Sequence, residues 1–287
     1  MCRPQHFAVT YSINPWMDPQ AWAGEGDALA AKAAQQWSGL HRALLKAGVS
    51  VQLVDPEPGL PDLVFTANAA IVLDGKALLA RFRHPERRGE EPVFAAAFRN
   101  LQARGLLDAV VEGPQGLALE GAGDCIWDRA RGQFWMGSGP RSDKRASKLV
   151  EKTFGVRCLP LELVDPSFYH LDTAFCVLPG GELLHYPGAF SAAGLKLIHE
   201  HIPPEQRIAL DREDADRFAA NAVGFDRTIV LSSASEGLRR NLEQRGYKII
   251  ATPLDMFLRS GGSACCLTLR LDHRSQAARP SALVAAE

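Results

Sequence analysis

Two side chains of the segment Phe168-Tyr-His-Leu-Asp-Thr-Ala-Phe175 are suited to moving a proton and holding a cation. Read as a buried strand, the segment alternates its side chains between faces, so His170 and Asp172 point one way while Leu171 and Thr173 point the other. Glu120, in Leu119-Glu-Gly-Ala-Gly-Asp124, is a second carboxylate set among apolar residues and glycines. A buried carboxylate with no cation beside it is costly, so an arginine of the protein or a cationic ligand must compensate it, and two of them point to a missing positive charge. Cys265, in Gly261-Gly-Ser-Ala-Cys265, places a thiol after a stretch with little side chain, where a ligand can approach closely. A cation next to it would stabilise the nucleophilic thiolate. With Asn68 in Phe65-Thr-Ala-Asn68, the set indicates thiolate chemistry on a guanidinium group.

Taken singly, these residues have plainer roles. A free cysteine is most often packed in a core, and a lone buried histidine usually bonds a backbone carbonyl. Asp124 fits a turn cap. Arg81, Arg83, Arg87 and Arg88 read as a solvated basic loop, although one of them, or Arg141 in Gly137-Ser-Gly-Pro-Arg-Ser142, has the planar fork that clamps a carboxylate. Asn14, before a proline in Tyr11-Ser-Ile-Asn-Pro-Trp-Met17, fits an ordered loop over a pocket. Gly121-Ala-Gly123 and Gly137-Ser-Gly139 lack the frames of nucleotide-phosphate loops.

The elements that must carry these groups follow from turn signals and periodicity. Asp74-Gly75, Arg131-Gly132 and Gly180-Gly181 each separate two short apolar runs and predict hairpins, and Cys265 to Leu271 reads as a strand. Apolar residues recurring at three and four predict helices over 27–47, 91–104, 145–154, 192–201, 211–222 and 235–245. The unit is strand, strand, helix, strand. Asn14, Asn68, Glu120, His170, Asn221 and Cys265 recur at roughly 45 to 55 residues, a period typical of propellers and arrays, which gathers them around one axis. With no linker-like break, residues 1–272 are expected to be one domain and 273–287 a flexible tail.

Global properties narrow the partner. With 32 Lys and Arg against 33 Asp and Glu, the chain lacks the basic footprint of a nucleic-acid or acidic-membrane binder, leaving a small molecule. No run is long and apolar enough to span a membrane and the N-terminus does not resemble a secretory signal, so a cytoplasmic location is expected. The six cysteines show no Cys-x-x-Cys spacing, which predicts reduced thiols and no metal site.

The four motifs Phe65-Thr-Ala-Asn68, Glu120-Gly-Ala-Gly-Asp124, His170-Leu-Asp172 and Gly261-Gly-Ser-Ala-Cys265 resemble, in this order, the guanidine-modifying enzymes of the pentein superfamily. The resemblance covers residues 5–271 and is closest to the arginine dihydrolase branch, whose members release ornithine, ammonia and carbon dioxide from arginine. It implies a five-bladed α/β propeller of ββαβ repeats around a central channel, and no cofactor. It also implies Cys265 as nucleophile in preference to Cys266, His170 as general acid and base, and Glu120 and Asp172 as holders of the guanidinium. Arg87 and Arg141 fall where the family grips the substrate α-carboxylate, and Asn14 where it lines the pocket. Asn68 departs from the aspartate of arginine deiminases and dimethylarginine hydrolases, and an amide there fits a second hydrolysis. An arginine deiminase, a dimethylarginine hydrolase, an amidinotransferase and a non-catalytic binding protein remain as alternatives, and a homo-oligomer is left open.

Overall fold

The computed structural model describes residues 1–275. Four three-stranded sheets repeat one plan: an antiparallel hairpin, a helix, and a third strand laid parallel to the second. The first sheet joins β1 (Ala70–Leu73), β2 (Lys76–Leu79) and β3 (Ala109–Val111), with helix Glu90–Ala103 before the last strand. The second joins β4 (Cys125–Asp128), β5 (Gln133–Ser138) and β6 (Cys158–Glu162) around helix Ala146–Phe154. β7 (Phe175–Val177), β8 (Leu183–His185) and β9 (Arg207–Ala209) form the third with helix Ala192–His201. β10 (Val223–Phe225), β11 (Thr228–Leu231) and β12 (Lys248–Ala251) form the fourth with helix Glu236–Gln244. Both ends of the described chain build the fifth unit. Cys2 pairs in parallel with Val54 across helix Gly26–Lys46, and Cys266 and Leu267 pack into the same apolar cluster as Phe7, Trp37 and Leu40. The chain is thus a five-bladed α/β propeller.

Local chemistry explains the elements. Asp74 and Gly75 both adopt left-handed backbone, at φ 52° and 73°, the pair of conformations that a tight hairpin following the strand twist requires. Ser191 and Ser235 cap their helices by accepting from the Gly194 and Leu238 N–H groups. Helix Gly26–Lys46 buries Leu29, Ala33, Trp37, Leu40 and Leu44, spaced three or four apart, as a single stripe.

Three expectations change. The helix expected over 211–222 spans only Arg212–Asp216, because Phe218 turns left-handed at φ 54° and buries its ring, so the chain leaves the helix and carries Asn221 inward. His170 is extended, but Leu171–Thr173 is a 3-10 turn, so strand alternation does not place His170 and Asp172. Cys265 to Leu271 is likewise no strand; Leu267 N–H bonds Ser263 O at 3.2 Å and Thr268 N–H bonds Cys265 O at 2.9 Å, as in a helical turn. Of the expected tail, His273 and Ser275 are fixed to the first hairpin: Asp74 N–H donates to His273 O and Ser275 N–H to Asp74 Oδ1. The remainder, 276–287, lies outside the described residues.

The turns that enter the hairpins are linked around the axis. Asn68 Nδ2 donates to Glu120 O at 3.3 Å, and Leu171 N–H donates to Asp124 Oδ1 at 3.0 Å. Asn221 Nδ2 donates to Asp172 O at 3.0 Å while its Oδ1 accepts from Cys266 N–H at 3.1 Å. Ala67 N–H then donates to Cys266 O at 3.1 Å and closes the circle. Each blade is therefore bonded to the next through polar groups beside the axis, where the candidate residues sit.

Candidate active site

Glu120 is fully buried at the mouth of the second blade, just before the short helical turn Gly121–Asp124. Its Oε2 accepts from His170 Nε2 at 2.8 Å and from Arg141 Nη1 at 3.0 Å, and its Oε1 from the Arg83 N–H at 3.1 Å. Burial alone would raise the carboxyl, but Arg141 and His170 outweigh it and hold Glu120 well below the usual carboxylate range. A carboxylate only accepts, so His170 Nε2 carries the proton and Nδ1 keeps a lone pair. Burial lowers the imidazole to about 4, against the opposing pull of Glu120, so His170 is neutral in the free protein and able to take a proton. Glu120 is thus a paired carboxylate; the missing positive charge is not at this position.

Asp172 is where a cation is missing. It is 1% exposed, and among the described residues its Oδ1 has no hydrogen-bond partner and no arginine or lysine pairs with it. Burial raises the carboxyl to about 7, the outcome expected of an uncompensated charge. Its Oδ2 accepts from the Cys266 thiol at 3.2 Å, and Asn221 Nδ2 lies 3.1 Å from the same sulfur. Burial and then Asp172 raise the Cys266 thiol well above its ordinary value, while the Ser263 backbone and Asn221 oppose them. Near neutral pH the thiol is protonated. A guanidinium beside Asp172 would reverse the local field and favour the thiolate.

The two adjacent cysteines differ in what they face. Cys265 is half-buried and lines a cavity of about 360 Å³ whose walls include Ala67, Ala122, Cys176, Ala220, Arg129 and Arg270. None of Glu120, His170, Asn68 or Arg141 lines that cavity. Burial and then the Asp172 charge raise the Cys265 thiol well above its ordinary value, and the cavity it lines includes no residue of the imidazole network. Cys266 is the thiol bonded to Asp172, whereas Cys265, the expected nucleophile, opens onto this separate cavity.

The expected carboxylate clamps are engaged with the protein itself. Arg87, 3% exposed, bonds Glu90 twice, through Nε at 2.8 Å and Nη2 at 2.7 Å, and reaches Asp62 O at 3.2 Å and Asn68 Oδ1 at 2.9 Å. It is no part of a solvated loop. Arg141 pairs with Glu120, donates to Ile13 O at 3.2 Å and lies 4.5 Å over the Tyr169 ring. Asn14 joins its own loop to the glycine-rich approach, donating to Ser260 O at 3.1 Å and accepting from Trp16 N–H at 2.9 Å. Asp124 accepts from Ser142 Oγ as well as from Leu171, a bracing position consistent with its turn role.

The described residues hold no group of three or more side chains able to bind a metal, and no helix among them is long and apolar enough to cross a membrane. A family model described as N,N dimethylarginine dimethylhydrolase, eukaryotic, matches residues 3–272. The chain belongs to this family. Within reach of it lies the bifunctional arginine dihydrolase/ornithine cyclodeaminase AgrE of Nostoc, 43% identical over 94% of this chain but only 37% of that protein. The dimethylarginine dimethylaminohydrolase of Mycobacterium tuberculosis is 38% identical over 94% of this chain and 84% of its own length. Among solved structures, the N-terminal domain of the cyanobacterial arginine dihydrolase ArgZ superposes with a TM-score of 0.88 at 41% identity, covering 96% of this chain and 98% of that one. That structure is a cysteine-to-serine variant bound to substrate; an asparagine-to-serine variant of the same domain is covalently bound to a reaction intermediate. The family's pentein fold agrees with the five blades described above.

Asp62, Glu90 and Ser263 went unnoticed in the sequence. Asp62 stands alone in Leu60-Pro-Asp-Leu-Val-Phe65, the same signal that singled out Glu120, and it receives Tyr11 Oη at 2.8 Å and Ser260 Oγ at 3.2 Å. Glu90 lies three residues after Arg87, a spacing that brings side chains together on a helical turn. Ser263 gives no such sign; its buried hydroxyl has no partner.

Proposed function

We propose that residues 1–272 form one catalytic unit that hydrolyses the guanidinium group of arginine through a covalent adduct on Cys266, and that hydrolysis continues past the ureido product to ornithine. The observation that carries this reading is Asp172: a buried carboxylate with an unpartnered oxygen, bonded on its other side to a thiol. A planar cation placed there would satisfy the oxygen and present its carbon to sulfur. The ArgZ domain supports arginine as that cation, since the relative is described as an arginine dihydrolase and has been captured with substrate after loss of a cysteine.

The steps follow from the charges. With cationic substrate next to Asp172, the Cys266 thiol gives its proton to the free Nδ1 of His170, and the thiolate attacks the guanidinium carbon. His170 passes a proton to the departing nitrogen, which leaves as ammonia, and then accepts one from the water that hydrolyses the thiouronium adduct. Glu120 orients the imidazole and stabilises its protonated form. A second attack on the ureido carbon, loss of a second ammonia and hydrolysis of the resulting thiocarbamate give ornithine and carbon dioxide. In total, arginine and two waters become ornithine, two ammonia and one carbon dioxide. Asn68 is suited to the second round because an amide can donate to a neutral urea oxygen that a carboxylate would repel. The covalent intermediate held by an asparagine-to-serine variant of ArgZ favours a role for such an amide in turnover.

Incubation with arginine, with separate assays of citrulline, ornithine and ammonia, tests the reading. Two ammonia per ornithine are expected, and citrulline as the sole product would contradict it. Asn68→Asp is expected to stop at citrulline. The family description and the mycobacterial relative favour a second substrate, dimethylarginine; the same assay with that compound, read as dimethylamine release, decides between them.

A further inference from the structure

Asn68 is held in one orientation by partners on both ends of its amide. Arg87 Nη1 offers a hydrogen and so faces Oδ1, at 2.9 Å; the Glu120 carbonyl offers lone pairs and so faces Nδ2, at 3.3 Å. Flipping the amide would set donor against donor and acceptor against acceptor. One N–H and one lone pair remain for a ligand.

Arg87 is fixed in turn. Glu90, 1% exposed, takes Nε and Nη2 in the two-point geometry that matches a guanidinium fork, and Asp62 O takes Nη2 at 3.2 Å. Four donor contacts in all leave Arg87 little freedom to swing towards a substrate carboxylate. Phe82 covers its face, with the guanidinium carbon 4.5 Å from the ring centre. Asp62 itself is tied to Tyr11 and Ser260. The chain of contacts runs from Glu90 through Arg87 to the amide.

We infer that Glu90 is a positioning residue which, through Arg87, locks the Asn68 amide and thereby sets how often the ureido intermediate is hydrolysed again before it is released. The inference rests on the reading of the site as an arginine hydrolase and goes beyond it by assigning product choice to a residue that touches no substrate. Arg87 acts here as the holder of Asn68.

The experiment uses the full chain, with Glu90→Gln and Glu90→Asp, and measures citrulline released per ornithine formed from arginine. Both products come only from folded enzyme, so their ratio does not depend on how much of a variant folds. Glu90→Gln keeps the shape but removes the charge that grips the fork, and is expected to raise the ratio about tenfold, the scale on which partners that orient a working side chain act. Glu90→Asp, which restores the charge at a shorter reach, should raise it less. Arg87→Lys, which keeps a cation but loses the fork, should raise it as Glu90→Gln does. A parent enzyme that reaches ornithine, with variants that lose total turnover at an unchanged ratio, overturns the inference alone. A parent enzyme that forms no ornithine overturns the reading of the site and this inference together.

Discussion

Asp172 is destabilising in the empty protein, and the consequence is measurable. Its carboxyl is raised from 3.8 to about 7 by burial, so the folded chain holds this proton more tightly than the unfolded chain does. The associated stability is complete below the unfolded value of 3.8 and is lost as pH rises to about 7. Asp172→Asn should therefore raise the stability of the free protein at pH 8 by a few kcal/mol, an upper bound of about 4 kcal/mol from the size of the shift. The gain should close as the pH approaches 4, and arginine turnover should fall by orders of magnitude at every pH. Thermal melts across that range check it; equal melting temperatures at pH 8 would show that the carboxylate is compensated. The chemical types were legible here, since a carboxylate in an apolar segment stands out. It did not disclose which carboxylate was paired, because Arg141 reaches Glu120 from 21 residues away and nothing local signals that contact.

Short turns, and the glycines that let them approach each other, decide how the elements meet. A Cβ at Gly123 would stand 2.2 Å from Asn68 Nδ2, and one at Gly121, itself left-handed at φ 63°, would stand 2.6 Å from the Ala67 carbonyl oxygen. The turn Gly121–Asp124 can pack against Thr66–Ala69 only without side chains at these two places. Gly123→Ala should displace the Asn68 amide, lower stability by about 1–3 kcal/mol through overpacking, and release more citrulline per ornithine. Denaturant melts and product analysis check both effects. Hairpins were legible at this scale from Asp74-Gly75 and Gly180-Gly181, whose turn conformations glycine permits. The turn after Asp216 was not, because a left-handed phenylalanine at 218 follows from burial of its ring and not from local preference. The preference for Cys265 rested on its place directly after the glycine-rich approach, a signal that does not disclose which of two adjacent thiols bonds Asp172.

The five blades are joined at the axis by polar contacts between turns, and Asn221 makes two of them, to Asp172 O and from Cys266 N–H. Asn221→Ala would leave that buried carbonyl and that buried amide unpaired, a cost of about 2–4 kcal/mol over the two groups. It should also free the Cys266 turn, so hydrogen exchange at Cys266 and Ala67 should accelerate more than exchange in β5. Uniform acceleration throughout would show that the circle is not what couples the blades. A recurrence of polar anchors at near-constant spacing made this arrangement readable without any likeness between the units. How the circle closes was not readable, since the fifth unit is assembled from residues at opposite ends of the described chain, with Ala67 bonded to Cys266. In the proposed mechanism a substrate guanidinium neutralises Asp172 and is attacked by Cys266. Mass spectrometry of protein quenched with acid during turnover of arginine, with fragmentation across the Cys265-Cys266 bond, tests this attack. A substrate-derived adduct is expected on Cys266, retained in Cys265→Ser and absent from Cys266→Ser; an adduct on Cys265 that survives in Cys266→Ser would overturn the mechanism.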